Sequence, residues 1–310
     1  MRRGAVRMRA GLAVALLLPV LLPACAAPVG DGASRGTARR AMPSRIVSMN
    51  PCVDAILEEV ADPASIAAIS HYSHDPRAAS VRPDWARRFP AVSDAAEDVV
   101  AARPDLVISG PHVAPQTSAA LERLGITLLK VGVPATVEES EAQVMQIADR
   151  IGRSAQGRAL AARIDHAMAQ ARASVAVSDT RPAALIWQDS GLAPGEGTLA
   201  DDLLARTGFA SASRRMGLAQ WDMVTLEQII SSPPDIMLTG EAVMETGTGG
   251  SANRMLSHPV IGHLRGRMMV ADFPASLLHC GGPVIIRTAA RLSEVRREWD
   301  GRKRAGGPKT

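Results

Sequence analysis

The sequence predicts an α/β protein made of two Rossmann-like lobes with parallel-rich sheets, joined by a single long interdomain helix. Three observations lead to that class. From residue 45 onward, strand-like and helix-like patterns alternate with short polar links, as in parallel sheets covered on both faces. A segment also recurs. Glu97-Asp98-Val99-Val100-Ala101-Ala102-Arg103-Pro104-Asp105-Leu106-Val107-Ile108-Ser109-Gly110 aligns with Glu227-Gln228-Ile229-Ile230-Ser231-Ser232-Pro233-Pro234-Asp235-Ile236-Met237-Leu238-Thr239-Gly240. The shared Glu, Pro-Asp and Gly keep one offset of 130 residues. Between the copies, Gln156 to Val175 places Leu160, Ile164, Ala167, Met168 and Ala171 on one helical face. Such a helix reaches about 30 Å, enough to bridge two lobes.

Taken in order, the chain opens with MRRGAVRMR, an apolar run from Ala10 to Leu22, and Pro-Ala-Cys-Ala-Ala. A basic start, a short hydrophobic stretch and small residues at the end read as an export signal, not a membrane span. Leu22-Pro23-Ala24-Cys25 resembles a lipobox, which would leave a lipid on Cys25. Ala24-Cys25-Ala26 equally fits ordinary cleavage, and the lipoprotein reading is preferred because Cys25 stands where the modification needs it. Pro28 to Ala41 reads as a flexible tether.

The folded region begins with strand Arg45 to Met49, breaking at Asn50-Pro51 before helix Val53 to Val60. Strand Ile66 to Ser70 leads into the polar loop His71 to Pro76. The first repeat unit is a short helix closed before Pro-Asp, then a buried strand ending at Gly110. Helix Ser118 to Leu124, strand Ile126 to Val131 and helix Val137 to Ile151 follow. Gly152 closes that helix, and Ser154 is suited to cap the bridging one. In the second half come strand Ala183 to Trp187, a Gly-rich loop from Gly191 to Gly197, and a helix capped by Thr198. The second repeat unit, strand Met268 to Val270, loop Asp272 to Pro283 and helix Val284 to Trp299 complete it. The segmentation is export signal 1–26, tether 27–43, N-terminal lobe 44–152, bridging helix 153–178, C-terminal lobe 179–300 and basic disordered tail 301–310.

With 310 residues and 46% hydrophobic content, the chain can bury one or two cores. The formal net charge of +4 belongs to the precursor. The 35 lysines and arginines, less the four of the leader, leave 31 against 31 acids, and this balance argues for no nucleic-acid partner. No G-x-S-x-G elbow, phosphate-loop lysine or zinc-protease motif is present, so no catalytic residue is assigned and no enzyme is expected. Gly195-Glu196-Gly197 is too short for a phosphate signal.

Arg45-Ile46-Val47-Ser48-Met49-Asn50-Pro51, Arg103-Pro104-Asp105-Leu106-Val107 and Leu121-Glu122-Arg123-Leu124-Gly125-Ile126 are similar to the class III periplasmic substrate-binding proteins. These are the cobalamin, ferric-siderophore and haem receptors of ABC importers. The resemblance spans about residues 44 to 298. It implies a monomeric periplasmic receptor without a resident cofactor; membrane contact would come only through the lipid that the lipobox-like segment would place on Cys25. Its partners would be a permease dimer with its ATPase and a transported cobalt or iron chelate, with cobalamin or a related corrinoid first and ferric siderophore or haem next. It further implies that Glu97 and Glu227 dock against permease arginines. Read from charge alone, each acid complements the positive end of its helix.

In open α/β sheets, ligands sit at the carboxyl ends of strands. Aromatic residues are only 3% of the chain, yet Tyr72, Trp187, Trp221 and Phe273 fall at or beside strand ends, where flat macrocycles would stack. Trp85 and Trp299 read as helix packing. Asn50, Cys52, His71, His74, His279 and Cys280 complete the ligand-binding candidates, and His71 is the metal-ligand candidate, with no metal site certain. His112 is a weaker one. Arg77, Arg214 and Arg287 would serve an anionic siderophore. In an oxidising compartment, Cys52 and Cys280 are candidates for a disulfide stapling the cleft; thiolates bound to cargo, or free buried thiols, are the rivals. The alternative function is an exported metal chaperone or cofactor-handling enzyme using Cys52, His71, His279 and Cys280.

Overall fold

A computed structural model describes residues 42–75, 79–174, 180–188, 191–240 and 267–305. The apolar runs of the first half become β1 (Ile46–Ser48), β2 (Ile66–Ser70), β3 (Ala91–Val92), β4 (Leu106–Ser109) and β5 (Thr127–Lys130). They form one parallel sheet in the order β3-β2-β1-β4-β5. β1 and β4 are buried at every position, as continuous apolar strands covered on both faces should be. Helix α1 (Pro51–Val60) starts two residues earlier than the apolar period suggested. Pro51 loses no helical hydrogen bond at that end, and the Asn50 Oδ1 accepts from the amides of Cys52 (2.8 Å) and Val53 (3.3 Å). α2 (Pro83–Ala86), α3 (Ala96–Ala101), α4 (Pro115–Arg123) and α5 (Val137–Arg150) complete this lobe. Likewise, α4 starts at Pro115 and not at Ser118.

The bridging helix α6 runs from Ser154 to Ser174 and buries Leu160, Ile164, Met168 and Ala171. Gly152, at φ +69°, turns the chain between α5 and α6, a conformation that glycine adopts without the Cβ penalty. Ser154 is the first helical residue, so its expected role as the cap falls one position too late.

The second lobe contains β6 (Ala183–Ile186), β7 (Leu192–Pro194), α7 (Leu199–Arg206), β8 (Ala210–Ser211), α8 (Ala212–Arg215), β9 (Trp221–Met223), α9 (Leu226–Ser231), β10 (Ile236–Thr239), β11 (Met269–Asp272) and α10 (Val284–Ala305). Its parallel sheet has the order β11-β10-β6-β8, and β7 pairs antiparallel with β9 in a separate ribbon. The expected Gly-rich loop therefore contains a strand. Gly195 is required there by close backbone approach: a Cβ would lie 2.4 Å from the Leu218 carbonyl oxygen. The expected disordered tail is also corrected, since α10 continues through Ala305. Arg302, Lys303 and Arg304 complement the negative end of that helix, and Lys303 sits 4.7 Å from the centre of the Trp299 ring. Residues 306–310 lie outside the described ones.

Below the cleft the lobes share one apolar cluster, reaching from Ile46 and Ile56 through Ile164 of α6 to Ile236 and Leu292. Arg206 of α7 forks onto Glu138 of α5 at 2.6 and 2.7 Å, and Asp202 accepts the Val137 amide at 3.0 Å. The Gly282 amide donates to Ser140 Oγ at 2.6 Å. Gly282 has φ +59°, and a Cβ there would lie 2.9 Å from Ile56 Cγ1. Gly282→Ala combines left-handed strain with a core clash and is expected to cost about 1–3 kcal/mol, read as a lowered denaturant midpoint with unchanged slope.

Candidate functional site

The N-terminal sheet reverses its winding between β1 and β4: from β1 the chain moves outward to β2 and β3, whereas β4 leads to β5 on the other side. The loops leaving β1 and β4 therefore part and open a crevice at the carboxyl edge. A cavity of about 430 Å³ occupies it. Asn50 and Pro51 come from the end of β1, Tyr72 from the turn after β2, Asp94 from beyond β3, and Gly110 and His112 from beyond β4. His279 reaches the same cavity from the loop after β11, so the other lobe closes the wall.

Local structure fixes each contributor. Asn50 spends its carbonyl oxygen on the α1 cap, and its amide nitrogen lies against Gly110, where a Cβ would come within 2.3 Å. Tyr72 is 45% exposed, on a 3₁₀ turn spanning His71–His74, and its ring meets the His71 ring at 4.0 Å between centres. The His279 ring stacks beside Trp221, 6.0 Å between centres at 27°, and Trp221 is itself 37% exposed. His279 is exposed by surface area, and burial of part of the residue lowers its pKa below the usual histidine value, which favours the neutral imidazole. A neutral imidazole can accept a hydrogen bond or offer a lone pair to a metal centre carried by a ligand. His112 is the other histidine of the described lining.

Several expected site residues belong elsewhere. Trp187 and Phe273 are 1% and 3% exposed; they are core, because the strand ends they occupy are roofed by the β7–β9 ribbon and the 275–277 turn. His71 Nδ1 lies 3.2 Å from the Val92 carbonyl, a backbone partner that holds the ring away from the cavity lining, and His74 is exposed beyond it. Cys52 and Cys280 are joined to each other, with Cα atoms 5.0 Å apart, so neither offers a thiolate. Arg214 is held by Asp201 and Glu196, at 2.7 and 3.0 Å, and Arg287 donates to the Ser80 carbonyl at 2.6 Å. Cys25 and Arg77 lie outside the described residues. Asp94 was missed because β3 has two residues and no readable period; the strand-end rule finds it once β3 is known. Among the described residues, no group of three or more His, Cys, Asp or Glu is placed to hold a bare metal ion, and no helix is long and apolar enough to cross a membrane.

Glu97 and Glu227 are both exposed, each in the first turn of the short helix preceding an interior strand of its sheet, β4 and β10. A helix between parallel strands runs back along the sheet, so its first turn lies at the strands' carboxyl edge. For α3, between parallel strands β3 and β4, this sets Glu97 toward the cleft end of its sheet.

The sequence matches the model of a family described as periplasmic binding protein over residues 46–265. No curated protein matches it. Among solved structures, it is similar to the periplasmic heme-binding protein RhuT from Roseiflexus sp. RS-1, at 20% identity and TM-score 0.66, covering 83% of this chain and 97% of that one. It is similar to the periplasmic vitamin B12 binding protein BtuF of Vibrio cholerae, at 17% identity and TM-score 0.64, covering 83% and 98%. The third is an ABC-type Fe3+-hydroxamate transport system protein from Saccharomonospora viridis DSM 43017, at 17% identity and TM-score 0.60, covering 82% and 93%. At these identities the likeness establishes the two-lobed fold.

Proposed function

This chain belongs to the periplasmic binding protein family, and we propose that it captures an intact metal chelate in the interlobe cleft and delivers it to an ABC importer. Cobalamin or a related corrinoid is the leading cargo; haem and ferric siderophores follow. The observation that carries the order is the chemistry of the cavity. Its described lining combines Tyr72, His112 and His279 with Asn50 and Asp94, and contains no lysine or arginine. Corrinoids present amides, which pair with such groups, whereas haem propionates and anionic siderophores need cationic partners. The described arginines once available for that role are held by Asp201, Glu196 and the Ser80 carbonyl. Exposed Tyr72 and Trp221 supply the aromatic faces a macrocycle requires. The metal-chaperone alternative loses two of its four donors to the disulfide.

The test is native mass spectrometry with absorbance titration against cobalamin, haemin and a ferric hydroxamate. A tight one-to-one cobalamin complex is expected, and Tyr72→Ala with Trp221→Ala should weaken it roughly 10–100-fold. Exclusive binding of haemin or hydroxamate would overturn the order, and no complex with any of the three would overturn the function.

A further inference from the structure

Asp54, in the first turn of α1, is fully buried, although nothing in the cargo chemistry calls for it. Its Oδ2 accepts the Ser70 amide at 3.1 Å and the Ser73 hydroxyl at 2.6 Å. Those residues bracket His71 and Tyr72. The 3₁₀ turn has no side-chain cap of its own, so a carboxyl from another element does that work. The turn is held at Ser70 and Ser73, His71 lies against the Val92 carbonyl, and Tyr72 lines the cavity.

We propose that Asp54 is a positioning residue: its buried carboxyl clamps both ends of the 71–74 turn and thereby sets where Tyr72 meets the cargo. The effect on cargo rests on the function proposed above; the effect on the turn does not.

The environment makes this clamp sensitive to protons. Burial pushes Asp54 up to about 7, against the opposing pull of Ser48, Ser73 and Ser70. Among the described residues, no charged group figures among the causes of that shift. On the turn the titratable neighbours are His71 and His74; Glu58 of α1 is held by Arg82, and Arg163 of α6 by Glu59. β1 presents Ser48, and α5 turns Val144 and Ile147 inward. The folded-state value lies above the ordinary 3.8, so the associated stability is complete below that pH and is lost as pH rises through about 7. Above that point the buried carboxylate carries a desolvation cost that its hydrogen bonds from Ser48, Ser70 and Ser73 offset only in part, so the turn is expected to loosen as water reaches it.

Tyr72 is the single tyrosine of the chain, so 3-fluorotyrosine labelling of the full protein gives one fluorine resonance that reports on this turn. In the wild type that resonance should shift with pH around 7. Asp54→Asn, which keeps an acceptor but cannot ionise, should remove that component. Asp54→Ala and Ser73→Ala should displace and broaden the resonance, and each should weaken cobalamin binding by roughly 10-fold. An Asp54→Asn titration identical to wild type, with a resonance unmoved by Ser73→Ala, would overturn the proposal; these two variants suffice if Asp54→Ala does not fold. A resonance that responds as expected in a protein that binds no cobalamin would sink the cargo assignment and leave the clamp standing.

Discussion

Removing the Cys52–Cys280 disulfide is expected to lower the unfolding free energy by about 3–5 kcal/mol. The two cysteines are 228 positions apart, so the bond closes a loop around almost the whole folded chain. In the chain-entropy account, longer loops restrict the unfolded ensemble more, which places this bond near the upper end of the usual range. The opposing effect is small: Cys280 is buried and Cys52 packs against the shared core, so two serines lose apolar contact without opening a large cavity. The native lobes should stay together, because the Gly282–Ser140, Arg206–Glu138 and Asp202–Val137 ties do not involve sulfur. Denaturant unfolding of Cys52→Ser/Cys280→Ser beside wild type reads the difference, as does a midpoint lower by about 10 °C on heating. A loss below about 1 kcal/mol would show that other constraints already keep the unfolded chain compact. Two free thiols on titration of the denatured wild type would contradict the bond itself.

How much of this was legible in the sequence depends on what each feature is made of. The repeat is an example of full legibility. Helix, Pro-Asp and buried strand recur because Pro104 and Pro234 keep α3 and α9 from continuing, and because continuous apolar runs such as Leu106–Ser109 and Ile236–Thr239 suit a covered parallel strand. Short elements were not legible. β3 has two residues, and β7 sits between Gly191 and Gly195, where turn chemistry masks a pairing that depends on β9 some thirty positions away. In the site, position along the chain indicated strand ends but not side-chain direction. Trp187 and Phe273 stand at strand ends as Tyr72 does, yet neighbouring elements roof the first two and leave the third open. His71 and Tyr72 are adjacent, but only Tyr72 lines the cavity, because Asp54 and the Val92 carbonyl fix the turn between them. That choice is made by contacts 16 to 21 positions distant, which no local pattern encodes.

Reversing charge at Glu97 and Glu227 together, to arginine, is expected to lower importer-driven uptake at least ~100-fold while cargo affinity stays within about 2-fold of wild type. The two acids occupy equivalent repeat positions, are exposed, and stand in the first turns of α3 and α9. Neither lines the cavity, so ligand contacts should survive. Val99 and Ile229 anchor the two helices in the core, whereas the acids themselves face solvent; the fold should therefore tolerate the change, apart from a modest loss of favourable charge at each helix start. A partner with two basic pockets would gain register from both contacts at once, since one contact fixes a point and two fix an orientation. Either single reversal should then reduce uptake less than the pair, and raising salt should weaken the wild-type complex toward the variant. Transport measured in vesicles carrying the importer, with cobalamin affinity measured separately on the free protein, distinguishes the two roles. Normal uptake by the double variant would remove these acids from the docking surface, and a collapse of affinity would relocate them to the cleft.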